Sequence, residues 1–64
     1  MIEKLEHALL AIISYPSYNK SHYRDDEVYL TEKMIGDGVT WYHAETLDTY
    51  KYQVWFREDE LEFI

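Results

Sequence analysis

The spacing of hydrophobic residues changes character part-way along the chain. Ile2, Leu5, Leu9 and Ile12 recur at three- and four-residue intervals, with Ala8 and Ile13 flanking them. That spacing lines one side of a helix and predicts an amphipathic helix over residues 2–14. Pro16 ends it, because a proline pushes the preceding residue out of helical angles. Leu10 falls on the far side with Glu3, His7 and Ser14, as a lone exposed leucine. Residues 15–26, "YPSYNKSHYRDD", read as a polar loop whose tyrosines either cover the core edge or carry function.

From Glu27 the period falls to two. "EVYLTEKM" sets Val28, Leu30 and Met34 against Tyr29, Thr31 and Lys33, predicting a strand over 27–35. Asp37-Gly38 is a strong two-residue hairpin signal. Strands over 39–47 and 50–57 follow, joined around Asp48-Thr49, and "ELEFI" reads as a short fourth strand over 60–64. The expected fold is a single α+β domain over residues 1–64: one N-terminal amphipathic helix packed on a three- to four-stranded antiparallel sheet.

Two-residue loops in both hairpins would fix the register. They place Met34 opposite Trp41, Val28 opposite Leu47, Trp41 opposite Phe56 and Leu47 opposite Tyr50. One face then gathers Val28, Leu30, Met34, Val39, Trp41, Leu47, Tyr50, Tyr52, Val54 and Phe56, and the helix covers it. On the other face Lys33 meets Tyr42 and Tyr42 meets Trp55, with Lys51 and Arg57 nearby. Tyr42 and Trp55 are therefore expected as aromatic anchors on an uncovered face. The ending "YQVWFREDELEFI" resembles the closing strands of SH3-like small barrels, where an aliphatic–aromatic strand meets a short acidic turn and a final strand. That resemblance implies an alternative fold, an SH3-like small barrel carrying an N-terminal helix.

Composition narrows the chemistry. The 64 residues include no cysteine, which excludes disulfides and thiolate zinc sites. Aromatic content of 17% supplies core instead, since each ring buries roughly 150–250 Å². The first residues carry no secretory-signal pattern. The apolar run there is far short of the roughly 20 residues a membrane span needs. A cytoplasmic protein is expected, in a host cell if the gene is phage-borne.

Glu32, His43 and Glu45 form the most enzyme-like group, with Glu32 opposite His43 in this register. Their spacing matches no hydrolase or metal motif, and hydrogen-bond satisfaction at the core rim accounts for them. Glu3 and His7 make a helical surface pair in this reading, and His22 with Asp25 and Asp26 lacks a fixed ligand geometry. "GDG" lacks the context of a phosphate loop. No enzyme activity, metal or cofactor is expected.

Thirteen acidic against six basic residues leave a net charge of -7. Such a field repels nucleic acid and membranes and attracts basic partners. The acids cluster at Asp25, Asp26 and Glu27 and again at Glu58, Asp59, Glu60 and Glu62. In size and charge the chain resembles small phage and mobile-element inhibitors, including anti-CRISPR and anti-restriction DNA mimics. The expected function is a non-enzymatic inhibitor or regulator that occupies a basic nucleic-acid-binding protein. The alternatives are an adaptor or assembly module using the Tyr42/Trp55 face on a partner or a second copy, and, less favoured by the charge, direct binding of single strands.

Overall fold

A computed structural model describes residues 1–46 and 53–64. It contains five strands: β1 (Ile2–Ile13), β2 (Glu27–Gly36), β3 (Val39–Thr46), β4 (Gln53–Arg57) and β5 (Leu61–Phe63). One 3-10 turn, Tyr18–Tyr23, lies in the first connection and another, Glu58–Glu60, precedes β5. All strand neighbours are antiparallel, in the order β4-β3-β2-β1-β5. The sheet curls into a half-barrel. Tyr42 on β3 meets Phe63 on β5 edge to face at 5.5 Å, although two strands lie between them in the sheet.

The N-terminal helix expected in both versions of the fold is absent among the described residues, and 2–13 is a strand. The three- and four-residue spacing misleads because "ALLAII" is a continuous apolar run, which suits a strand packed on both faces as well as a helix. As a strand it directs Ala11 and Ile13 inward, both fully buried, and Leu10 and Ile12 outward, half-buried. Partners distant in sequence decide the matter: Ile12 lies opposite Glu27 on one side and Glu62 on the other. Between Lys4 and Leu9 the ladder shifts, and Leu5–Ala8 bulge opposite Thr31. Leu5, within that irregularity, packs against the core.

The first hairpin forms as expected. Gly36 faces Val39, and Asp37 and Gly38 take φ of 52° and 75°, the double left-handed geometry of a type I′ turn. Met34 faces Trp41, Lys33 faces Tyr42 and Glu32 faces His43. A bulge at Thr31 then breaks the alternation. It puts Leu30 opposite Ala44 and Val28 opposite Thr46, so Met34 leaves the face that Val28 and Leu30 share.

The second hairpin corrects the expected register by one residue. Trp41 faces Arg57, Tyr42 faces Phe56 and His43 faces Trp55. A one-residue slip exchanges the faces of a whole strand. The expected pairs Trp41–Phe56 and Tyr42–Trp55 are therefore absent, and Tyr42 joins the core instead of an uncovered face. Buried together are Ala11, Ile13, Val28, Leu30, Tyr42, Ala44, Phe56 and Leu61, with Leu5, Tyr23 and Val54 packed against them. Expected contacts of Leu47, Tyr50, Lys51 and Tyr52, and the turn at Asp48-Thr49, lie outside the described residues.

Phe56 is the largest fully buried side chain, and Tyr23 packs edge-on to it at 5.8 Å. Phe56→Ala is expected to cost about 3–5 kcal/mol, most of what a domain this small has available. Urea denaturation followed by tryptophan fluorescence measures the loss; a change below about 1 kcal/mol would place Phe56 outside the core.

Candidate protein-interaction surface

The two acidic clusters, more than thirty residues apart in sequence, converge around the end of β1. Glu27, Ile12 and Glu62 lie side by side on β2, β1 and β5. One residue further along β1, Ile13 donates its N–H to the Asp26 carbonyl and accepts from the Asp25 N–H at 2.7 Å. The Ser14 hydroxyl donates to Glu62 Oε2 at 3.0 Å. Asp25, Asp26, Glu27 and Glu62 are all exposed. Asp25 takes a positive φ of 69°, which a short polar side chain tolerates, and this turns the chain into β2. Two strand spacings separate Glu27 from Glu62, about 10 Å.

Alternation extends the surface. Tyr29, Leu10 and Ile64 form the neighbouring row on the same outward face, with Ile64 donating its N–H to the Leu10 carbonyl and Glu45 lying opposite Tyr29. Tyr29 and Ile64 are 45% and 72% exposed. The helical reading makes Leu10 an isolated surface leucine and puts Ile12 on the core-facing side of the helix, whereas the structure sets both outward beside Tyr29 and Ile64. The available signal was the unbroken apolar run "ALLAII", which suits a strand with apolar side chains on both faces as well as it suits a helix.

Other expected site residues are distributed differently. Glu58 and Asp59 are exposed and help line a shallow cleft of about 250 Å³ with Gly38, Val39, Thr40 and Arg57. Glu60 is not a surface contact, being only 2% exposed. Its backbone carbonyl accepts the N–H groups of Ser14 and Tyr15, its Oε1 lies 3.4 Å from Arg57 Nε, and its Oε2 lies 3.9 Å from Lys20 Nζ. Oε2 accepts no hydrogen bond, so the lysine serves it through charge alone. The Lys20 ammonium donates to the Trp55 carbonyl at 2.7 Å and sits 5.4 Å and 5.1 Å from the centroids of the Trp41 and Phe56 rings. Nothing in the sequence marked Lys20, because its partners come from β3, β4 and the last turn.

Trp55 is half-buried, its ring 5.2 Å from that of His43. Tyr42, the other expected anchor, is 7% exposed. Burial, and then the charge of Glu58 and a hydrogen bond to its carboxylate, push the Tyr42 phenol above its ordinary pKa of 10.0. His43 is buried with Nδ1 3.2 Å from the Thr31 hydroxyl and 3.6 Å from Glu32. Glu45 is half-buried on the same face. Among the described residues no group of three or more acidic or histidine side chains could hold a metal ion. No described helix is long and apolar enough to cross a membrane.

No protein-family model, curated protein or solved structure matches the chain.

Two measurements check this geometry. Lys20→Ala leaves Glu60 buried with less compensation and is expected to cost roughly 3 kcal/mol, as for a broken buried pair. Lys20→Met with Glu60→Gln should recover part of that in thermal denaturation, and a double variant no better than the single one would remove the ion pair from the explanation. For Tyr42, the unfolded phenol ionises near 10.0 and the folded one at higher pH. Unfolding therefore releases a proton between the two values, so this contribution is complete below pH 10.0 and is lost as pH rises through the folded pKa. A tyrosine titration at alkaline pH should show a late phenol that Tyr42→Phe removes; an unchanged curve contradicts the burial.

Proposed function

We propose that this protein is a small acidic inhibitor or regulator that occupies a basic, nucleic-acid-binding surface of a partner protein in the cytoplasm. In size and charge the chain resembles phage and mobile-element inhibitors that mimic DNA. The observation that supports the reading best is the convergence of Asp25, Asp26 and Glu27 with Glu62 across the end of β1. Backbone hydrogen bonds hold the segments that carry these carboxylates, so the main chain there needs little ordering on binding, and their combined field speeds encounter with a cationic surface.

The distribution of bases adds to this. Lys20 is held by Glu60, and Arg57 lies 3.4 Å from both Asp59 and Glu60. Two of the six basic residues therefore spend their charge within the molecule, beside the last turn. Asp25, Asp26 and Glu27 make no ion pair among the described residues. The adaptor reading loses half of its proposed face with the burial of Tyr42.

Affinity capture from lysate tests the proposal with two variants of equal charge change. Wild type is expected to retain a basic nucleic-acid-binding protein that added duplex DNA releases. Asp26→Asn/Glu27→Gln/Glu62→Gln should lose it, while Glu3→Gln/Glu6→Gln/Asp37→Asn, altered at exposed acids elsewhere, should keep it. Equal capture by all three proteins, or capture that DNA does not disturb, would count against a mimic of nucleic acid.

A further inference from the structure

We infer that the outer face of the β2-β1-β5 end of the sheet is a docking site for a cationic amphipathic helix of the partner. The inference rests on the proposed function and specifies the part of the partner that is bound. It goes beyond charge because the acids there do not stand alone. Tyr29, Leu10, Ile12 and Ile64 form a block two strand positions long and up to three strands wide. Glu27 and Glu62 stand on either side of Ile12, and Glu45 stands beyond Tyr29. Tyr29 and Ile64 are 45% and 72% exposed, and among the described residues no element of the chain covers the block.

Dimensions and charge select the occupant. The two flanking carboxylates are about 10 Å apart, two strand spacings, close to the roughly 10–12 Å width of a helix with its side chains. A helix laid along β1 would set an apolar stripe on Leu10 and Ile12 and direct lysines or arginines from its two flanks to Glu27 and Glu62. Such a helix, basic along both sides of an apolar seam, is read by its anchors at three- and four-residue spacing. No lysine or arginine of the described residues occupies the block, so a cationic helix meets no like charge. A nucleic acid is excluded by the same acids.

The test uses a synthetic leucine–lysine peptide with leucines at three- and four-residue spacing, beside a scrambled peptide of the same composition, in titration calorimetry on the intact protein. The helical peptide should bind wild type at least tenfold more tightly than the scrambled one. Tyr29→Thr/Ile64→Thr, which alters exposed side chains and spares the core, should weaken it at least tenfold, as should Glu27→Gln/Glu62→Gln. Asp37→Asn, at the hairpin turn, should leave it unchanged. Equal binding of the two peptides, no binding of either, or indifference to both double variants overturns the inference. So does sedimentation showing a wild-type dimer that Tyr29→Thr/Ile64→Thr dissociates, since a second copy then covers the face. Lysate capture separates the two claims. Partner retention by Tyr29→Thr/Ile64→Thr but not by the acid variant sinks the helix site and spares the proposed function, whereas retention by both sinks the function as well.

Discussion

Phe56 and Leu30 can share one core only if β3 turns Tyr42 and Ala44 to the same side between them. The register of the β3–β4 ladder therefore governs the rest of the structure. With Tyr42 opposite Phe56, the inner side of β3 carries one large ring and one small side chain. Ala44 leaves room across the sheet for Val28 and Leu30, while Tyr42 reaches Phe63. Curling is the way a five-stranded sheet can bury such a set without a covering helix, because it brings non-neighbouring strands into contact. The same choice sends His43 and Trp55 outward together, which is why those rings pack against each other at the far side.

A sheet closed on one side by its own curvature still needs its first connection and its last turn secured. Lys20 and Glu60 do this from opposite ends of the sequence. The Glu60 backbone carbonyl takes the two N–H groups that follow β1, and its side chain is approached by a lysine from the first 3-10 turn and an arginine from β4. A buried carboxylate is expensive to leave unmatched, so this cluster favours one arrangement of the loop over its competitors. Cation–ring contacts from Lys20 to Trp41 and Phe56 help offset the lysine's own desolvation.

Sequence reading located β2 and β3, the type I′ turn between them, the acidic turn and the last strand, because each rests on local chemistry. Asp37-Gly38 needs nothing beyond its own backbone preferences. Residues 2–13 were misread because their conformation is set by β2 and β5, and an apolar run does not announce whether it will be covered on one side or two. Thr31 shows a second limit: one extra residue moved Met34 and Lys33 to opposite faces from those that alternation assigned. The acidic clusters were legible as clusters, but their meeting across Ile12 was not, since it depends on β1 pairing with both β2 and β5. Glu60 was placed among surface acids because its neighbours Glu58, Asp59 and Glu62 are acids, and only the fold distinguishes it from them.

That distinction bears on what the charge can do. An acidic protein whose carboxylates are evenly spread gains solubility and little selectivity, since its field looks the same from every side. Here Lys20 and Arg57 gather at the Glu60 end, where Glu60 and Asp59 neutralise them. Asp25, Asp26, Glu27 and Glu62 make no ion pair among the described residues and lie beside an apolar strip. Charge alone would steer any cation toward this end of the sheet, and desolvation of Tyr29, Leu10, Ile12 and Ile64 would reward only a partner bringing apolar surface as well. Selectivity then comes from the requirement to satisfy both at once, as in interfaces where charge sets the rate of encounter and a dry centre sets its lifetime.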